Sequence, residues 1–247
     1  MVTGATAGFG RATAVKFAEN GYRLIITGRR ADRLKELEKE LTAHNVKVKT
    51  LCFDVRKKSE VDAAVLGLSE EWQKIDILVN NAGLASGLSH IENGDVEDWE
   101  KMIDTNIKGL LYVTRAVAPL MIKRDSGHII NISSIAGTDI YENGNVYCAT
   151  KSAVNTLSRA MRIEMLKHNI KVTNIAPGMA ETEFSIVRFH GDEDKAKTVY
   201  KGMDAMTAGD IADVIYFCAT LPPHYCINNL ELTPTRQATV TNVNRKV

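Results

Sequence analysis

The sequence lacks the features that mark membrane, secreted or metal-binding proteins. It contains no run of about 18 apolar residues, so no transmembrane helix is expected. The N-terminus has no basic region followed by an apolar stretch and a small-residue cleavage site, which a secretory leader would have. The four cysteines form no C-x-x-C pair and the six histidines form no close pair, so neither a disulfide framework nor a zinc site is predicted.

Neither sign of charge is in excess. The chain has 31 Lys and Arg against 30 Asp and Glu, and this balance argues against nucleic acid or an anionic membrane as the main partner. A hydrophobic content of 45% and a charged content of 25% are typical of a globular protein, and 247 residues can form one α/β domain. Scattered thiols are typical of a reducing compartment, so a cytoplasmic location is expected.

Short β-branched runs alternate with amphipathic stretches along the chain. The predicted strands are 23–28, 47–55, 75–83, 128–134 and 170–178, and the predicted helices are 11–20, 33–44, 60–72, 98–122 and 147–168. This alternation predicts an α/β fold, a doubly wound parallel sheet of the Rossmann type with helices on both faces, in a single domain 1–247. The polar stretch 183–207 lacks strand patterning, and we expect a substrate lid at about 179–207.

A glycine-rich turn follows the first residues. Thr3 and Gly4 end a strand, Gly8 and Gly10 follow, and a helix then begins. Glycines let the backbone approach a pyrophosphate, and the start of the helix presents free N–H groups to that anion. The alternative is that the turn only allows tight packing of strand and helix. Its place between the first strand and the first helix favours a dinucleotide site.

The end of the second strand indicates which dinucleotide is bound. NAD-binding proteins carry a carboxylate there for the ribose 2′-hydroxyl, whereas this chain has Arg29 and Arg30 after Gly28. Two guanidinium groups suit a 2′-phosphate, although a solvated arginine pair is the alternative interpretation. The sequence therefore predicts NADP as the cofactor.

Tyr147 and Lys151 are four residues apart, so they lie on the same face of the predicted helix. Alone, this spacing fits an ordinary solvated helix face. A cation near a phenol favours the phenolate and lowers the pKa of the tyrosine, which suits it to exchange a proton with an alcohol or carbonyl. The spacing thus raises an acid–base hypothesis that other motifs must support.

Those other motifs occur in order along essentially the whole chain. They are Thr3-Gly4-x-x-x-Gly8-x-Gly10, Asp54, Asn80-Asn81-Ala82-Gly83, Asn106, Ser134, Tyr147-x-x-x-Lys151 and Pro177-Gly178. With them the chain resembles the short-chain dehydrogenase/reductase family. Residues 178–191 and 145–151 look more narrowly like the NADP-dependent 3-hydroxy acid dehydrogenases, a group that includes enzymes acting on serine and allo-threonine. One departure is that only Met1 and Val2 precede Thr3, so either the start is truncated or the central strand is short.

The resemblance implies a catalytic set. Tyr147 is the expected acid–base, Lys151 lowers its pKa and binds the nicotinamide ribose, and Ser134 holds the substrate oxygen. Ser133 is a rival by proximity, but the spacing in the family selects Ser134. In the family the residue at Asn106 holds a water in a proton relay to the lysine; a plain interior asparagine is the alternative reading.

The resemblance also implies a cofactor site and an assembly. The expected cofactor-binding residues are Gly4, Thr6, Gly8, Phe9, Gly10, Arg29, Arg30, Asp54, Val55, Asn81, Gly83, Tyr147, Lys151, Pro177, Gly178 and Thr182. Within this set, Asp54 and Val55 are expected near the adenine, and Asn81 and Gly83 near its ribose. Pro177, Gly178 and Thr182 would lie by the nicotinamide carboxamide. Family members are commonly tetramers, so a homotetramer is expected.

The substrate is the least determined part of the interpretation. A 3-hydroxy acid carries a carboxylate that should meet an arginine, and Arg188 in the expected lid is the candidate, with an ordinary surface arginine as the alternative. Substrate contacts are therefore predicted for Ser134, Tyr147 and Arg188. Two other functions stay open: a general NADPH-dependent carbonyl or ketoacyl reductase, and a non-catalytic NADP-binding protein.

Overall fold

A computed structural model describes residues 1–246. Strands and helices alternate along most of the chain, as the sequence predicts. The strands are β1 Leu24–Gly28, β2 Val48–Cys52, β3 Ile77–Asn80, β4 Gly127–Ile132, β5 Ile170–Pro177 and β6 Asn229–Leu232. The α-helices are α1 Gly8–Glu19, α2 Ala31–Thr42, α3 Lys58–Leu66, α4 Val96–Ile103, α5 Leu110–Ile122, α6 Asn145–Met165, α7 Phe184–Arg188, α8 Glu193–Tyr200 and α9 Ala208–Thr220.

The strands form a parallel arrangement whose order reverses at its centre. On one side β1 pairs with β2, and on the other β3, β4, β5 and β6 pair in that order, all in parallel. Between β1 and β3 lies Val2, which bridges to Ile26 and to Val79. The predicted doubly wound parallel fold is confirmed, with the central strand reduced to this bridge.

Two apolar clusters cover the two faces of the sheet. Side chains of β1 alternate between them, so that Ile25 packs with α3, α5 and α6 while Ile26 packs with α1, α2 and α9. All five residues of β1 are buried, as expected for a parallel strand with helices on both faces. Within residues 1–246, no helix combines the length and apolar character needed to cross a bilayer.

Several elements differ from the sequence prediction. Strand β6 and helix α9 were not predicted, and the expected lid contains the two helices α7 and α8. The long helix predicted at 98–122 is instead α4 and α5 separated by a wide π-helical turn, Asp104–Gly109. That turn ends at Gly109, where a Cβ would lie 2.8 Å from the Val55 side chain. Turns of this kind occur often at functional sites.

Candidate active site

The carboxyl ends of the central strands meet at one edge of the sheet and are joined by hydrogen bonds. The amide group of Asn81 donates to the carbonyl oxygens of Thr3 (2.9 Å) and Gly4 (3.2 Å). The hydroxyl of Thr3 accepts from the backbone N–H groups of Asn81 and Ala82, both at 3.0 Å. The glycine-rich turn and the Asn-Asn-Ala-Gly motif are therefore one structure, on the side where doubly wound proteins bind dinucleotides.

The turn leaves room for a ligand backbone and presents free helix N–H groups. Gly4 has a φ of +63°, and a Cβ there would lie 2.9 Å from the backbone of Ala82, so only glycine fits. Helix α1 then begins at Gly8 without a side-chain cap and without an acidic residue in its first turn. An uncapped helix start beside a glycine turn fits a pyrophosphate. Thr182 packs next to Gly8, at 3.5 Å from a Cβ built there.

The two predicted phosphate-binding arginines directly follow β1 and contact different neighbours. Arg29 is 57% exposed and its guanidinium lies 3.8 Å from the carboxylate of Asp54. Asp54 in turn accepts hydrogen bonds from Arg56, the shortest being 2.6 Å. Arg30 donates through Nη2 and Nε to the hydroxyl of Thr6, at 2.9 and 3.2 Å. Two cations are thus available where a 2′-phosphate would reach this edge of the sheet.

Helix α6 places Tyr147 and Lys151 together in the interior. Both are buried, and the ammonium of Lys151 lies 5.8 Å from the centroid of the Tyr147 ring. The ammonium also donates to the carbonyl of Ile132 (3.0 Å) at the end of β4. Ser134, two residues further on, accepts from the N–H of Ala136 (3.1 Å). The structure therefore brings the predicted serine, tyrosine and lysine into one site.

The protonation of these groups differs from the expectation. Burial raises the pKa of Tyr147 to about 12, and the charge of Arg188 together with the Ser134 hydroxyl opposes this rise. Burial also lowers the pKa of Lys151 to about 8. The cation that acts most on Tyr147 in this state is therefore Arg188, and an effect of Lys151 on the tyrosine pKa stays a prediction. A protonated phenol is suited to donate a proton.

Asn106 lies in the wide turn between α4 and α5. Its side-chain oxygen accepts from the N–H of Leu84 (2.9 Å), and its amide donates to the Leu84 carbonyl (2.8 Å) and to Thr150 (3.0 Å). A Cβ built on Gly83 would lie 3.2 Å from the Asn106 oxygen and 3.4 Å from the Lys151 ammonium. The Asn106 side chain is thus occupied in fixing the loop beside Lys151, so its family role in a water relay remains a prediction.

The remaining predicted cofactor residues fall into two groups. Phe9 and Val55 are packed against the apolar clusters, so only their backbones and outer edges are available to a ligand. Pro177 lies at the end of β5, where its carbonyl accepts from the Ser134 hydroxyl at 3.3 Å. The N–H of Gly178 bonds to the carbonyl of Leu232 in β6. Strand β6 therefore sets the position of this loop.

Helix α7 carries Arg188 into the same site. The Arg188 guanidinium lies 4.8 Å from the centroid of the Tyr147 ring and 5.2 Å from that of Phe184. One of its terminal nitrogens donates to the Tyr141 hydroxyl (2.9 Å), and its buried Nε has no partner within residues 1–246. The Phe184 ring packs edge-on against Tyr147, with centroids 5.7 Å apart. A cation with an unused donor therefore lies beside the predicted acid–base.

Sequence reasoning missed some residues that shape this site. Tyr141 and Phe184 line it. Gln237 accepts from the N–H of Met179 (2.7 Å). Glu183 forms ion pairs with Arg33 in α2 and with Arg30, which directly precedes that helix. Phe184 and Glu183 were inside the expected lid, and Tyr141 is only six residues before Tyr147. Nothing in the local pattern of the chain marks Gln237, which reaches the site from the C-terminal segment.

Comparisons with known proteins agree with this geometry. The chain is 47% identical over 239 residues to the NADP-dependent 3-hydroxy acid dehydrogenase YdfG of Escherichia coli (strain K12), which covers 96% of this chain and 95% of that protein. It is 46% identical over 239 residues to sulfoacetaldehyde reductase of Chromohalobacter salexigens, covering 96% and 94%. A solved structure, the closed form of serine dehydrogenase complexed with NADP+, superposes with a TM-score of 0.92 at 46% identity, covering 99% and 98%.

The family model for short chain dehydrogenases matches residues 1–193. That range includes the glycine-rich turn, both arginines after β1, Ser134, Tyr147, Lys151 and Arg188. With a family match over most of the chain and relatives near half identity over its length, the chain belongs to the short-chain dehydrogenase family of enzymes.

Proposed function

We propose that this protein is an NADP-dependent dehydrogenase that interconverts a small 3-hydroxy acid, of the serine, allo-threonine or 3-hydroxypropionate type, and the matching oxo acid. The observation that carries the proposal is the position of Arg188, a cation 4.8 Å from the Tyr147 ring with an unpartnered buried Nε within the described residues. A guanidinium holds a carboxylate well because its donors match the two oxygens. The relatives named for 3-hydroxy acids and serine support the same substrate class.

NADP is the cofactor that the site fits. The uncapped start of α1, the crowded Gly4 and the two arginines after β1 together match a dinucleotide with a 2′-phosphate. When bound, the nicotinamide donates or accepts the hydride of the reaction. The relatives named NADP-dependent, and the neighbour complexed with NADP+, agree with this choice.

The residues of the chain then supply binding and proton transfer. In reduction the buried Tyr147 phenol gives its proton to the carbonyl oxygen, and in oxidation the phenolate takes the hydroxyl proton. The Ser134 hydroxyl donates to the same oxygen as negative charge develops on it. Lys151, while protonated, favours the phenolate in the oxidative direction because opposite charges attract. Arg188 orients the acid group, so that the reacting carbon is presented beside Tyr147.

A screen of substrates tests the proposal. Purified protein with NADPH or NADP+ is assayed with 3-hydroxy acids, their semialdehydes, sulfoacetaldehyde and neutral ketones. A kcat/KM for carboxylates well above those for sulfonates and neutral compounds is expected. Higher values for the sulfonate would make the substrate a sulfo-aldehyde held by the same arginine. Higher values for neutral ketones would favour the general carbonyl reductase, which the aromatic surface of Phe184 and Tyr141 could accommodate.

We also propose that the protein is a homotetramer in the cytoplasm. Apolar side chains remain exposed on and beside the long helices, namely Ile103 (37%), Leu111 (37%), Ile163 (75%) and Leu166 (74%). Burying such side chains against a second copy would remove them from water. All four cysteines are free thiols, which is typical of a reducing compartment. Light scattering at micromolar concentration is expected to give a mass about four times that of the 27.2 kDa chain.

A further inference from the structure

The start of the lid is attached to the edge of the sheet where the cofactor's 2′-phosphate is expected. Glu183 directly precedes α7, and both of its oxygens lie 2.8 Å from Nη1 of Arg33 in the first turn of α2. One oxygen also lies 3.4 Å from Nη1 of Arg30. These contacts join residues about 150 positions apart in the chain.

Arg30 is shared between two parts of the site. Its Nε and Nη2 donate to Thr6 in the glycine-rich turn, while its Nη1 faces Glu183 of the lid. Arg29, in contrast, faces Asp54 and forms no hydrogen bond or ion pair with the lid within residues 1–246. A ligand phosphate that bound Arg30 would therefore meet the carboxylate of Glu183, which competes for the same cation.

Helix α7 is short, so a contact at Glu183, directly before it, affects the position of the whole helix. It has five residues, and its last carbonyl, that of Arg188, accepts from the N–H of Gly87 at 3.0 Å. The first and last residues of α7, Phe184 and Arg188, carry the side chains that contact Tyr147. The ion pairs themselves are exposed, with side-chain exposures of 43–46%, so their effect on global stability is small.

We propose that Glu183 is a positioning residue that attaches the lid to the 2′-phosphate end of the cofactor site. Through Arg33 it fixes where α7 begins, and thereby where Arg188 lies over Tyr147. Through Arg30 it opposes the 2′-phosphate, so the lid and the phosphate share one cation. This inference rests on the proposed function for the role of Arg188, but its contacts do not depend on which acid is the substrate.

The first test uses the protein without cofactor and needs no turnover. Trypsin cleaves after Arg188 and after the lysines of α8, so the rate of cleavage in the lid reports how firmly the lid is held. We expect Glu183→Gln and Arg33→Met each to raise that rate severalfold, and the double variant to match the single ones. Glu181→Gln is the matched control, because this exposed carboxylate two residues earlier forms no ion pair within residues 1–246. Unchanged cleavage in both single variants would overturn the proposal.

The second test separates a shared cation from a simple structural role. Adenosine 2′,5′-bisphosphate carries the 2′-phosphate without the nicotinamide, and adenosine 5′-monophosphate lacks that phosphate. Glu183→Gln is expected to bind the bisphosphate roughly two- to fivefold more tightly than the parent, and its affinity for the monophosphate should not change. The ratio corresponds to the energy of an exposed charge pair. Arg33→Met should show no such gain. Weaker binding of the bisphosphate by Glu183→Gln would contradict the competition.

Steady-state kinetics complete the test. With the lid loosened, Glu183→Gln should raise KM for a 3-hydroxy acid several times more than it lowers kcat, while KM for NADPH falls or stays the same. If the variant shows the lid and phosphate effects but the parent protein does not act on hydroxy acids, the attachment stands and only the proposed substrate fails. An equal loss for every substrate, with intact lid cleavage, would overturn the attachment instead.

Discussion

The guanidinium of Arg188 lies over the ring of Tyr147, 4.8 Å from its centroid, while the ammonium of Lys151 lies 5.8 Å from the same point. The phenol is therefore near one cation from the lid and one from its own helix. Because Arg188 opposes the rise that burial causes in the pKa of Tyr147, the residue proposed to bind the substrate would also act on the proposed acid–base. An anionic substrate that pairs with Arg188 would weaken this effect and favour the protonated phenol.

Removal of the Tyr147 hydroxyl should stop the chemistry. Tyr147→Phe keeps the buried ring and its edge-on contact with Phe184, so the site should stay folded. We expect kcat to fall by about 10²- to 10⁴-fold, the usual contribution of acid–base catalysis. Binding of NADPH, followed by fluorescence titration, should change little. A variant that kept more than a tenth of the rate would show that another group moves the proton.

Arg188→Met should discriminate between classes of substrate. Methionine retains much of the apolar stem, so packing against Phe184 is largely kept while the charge is lost. For 3-hydroxy acids the loss in kcat/KM should correspond to about 2–5 kcal/mol, the usual cost of breaking a buried charge pair. A neutral secondary alcohol measured beside them should lose much less. Equal losses for both substrates would indicate a disordered lid, and no loss for the acids would remove Arg188 from the substrate site.

Arg29→Ala should reduce the preference for NADP(H). A hydrogen bond to a charged group contributes about 1.5–3 kcal/mol, and its loss should appear in kcat/KM for NADPH. NADH has no 2′-phosphate, so its kcat/KM is the internal control and should stay within a factor of about two. The parent protein should strongly prefer NADP(H). Comparable values for the two cofactors in the parent would refute the role of both arginines.

His128 should make the fold sensitive to acid. It is 3% exposed, its Nε2 bonds to the Thr173 hydroxyl at 2.7 Å, and burial lowers its pKa to about 3. Between pH 6.5 and 3 the unfolded chain therefore binds a proton that the folded protein does not. As the pH falls through this range, protonation of this residue in the unfolded chain should lower the free energy of unfolding by up to about 1.4 kcal/mol per pH unit.

Urea unfolding of His128→Gln at two pH values measures this contribution. The stability of the parent relative to the variant should decrease by about 2.5 kcal/mol between pH 7 and pH 4.5, because glutamine does not titrate. His44→Gln, which changes an exposed histidine on the surface, should show no such decrease. A difference between parent and His128→Gln that stays constant with pH would mean that His128 does not control the acid response.

The sequence predicted the elements whose residues follow a strong local pattern. Buried β-branched runs such as β1 and β5 occur within one residue of the expected bounds, and the amphipathic helix α2 within two. Helix α6 begins two residues and ends three residues before its expected bounds. Strand β6 was missed because Asn229–Leu232 alternates exposed and half-buried residues and contains no β-branched side chain. Its position is determined by pairing with β5 and not by local propensity.

The residues of the candidate site were also predictable only in part. Motif spacing together with the family resemblance predicted Ser134, Tyr147 and Lys151 as a set, and the structure places them close together. Their catalytic roles stay a prediction. The protonation of Tyr147 could not be predicted, since it depends on burial and on Arg188 from a distant segment. Contacts such as that of Glu183 with Arg33 were also out of reach, because an ion pair between residues 150 positions apart leaves no local pattern.

Val2 is the only strand residue between the two halves of the sheet within residues 1–246, and its bridges to Ile26 and Val79 have a consequence for cooperativity. The first five residues make three backbone hydrogen bonds to β1 and three to β3, so hydrogen exchange in β1 and β2 is coupled to exchange in β3 to β6 through this short segment. The predicted dinucleotide site draws on Gly4 at this junction, on Arg29 beyond β1 and on Asn81 beyond β3. A ligand that contacts all three would strengthen this connection, so its binding would slow hydrogen exchange on both sides of the junction at once.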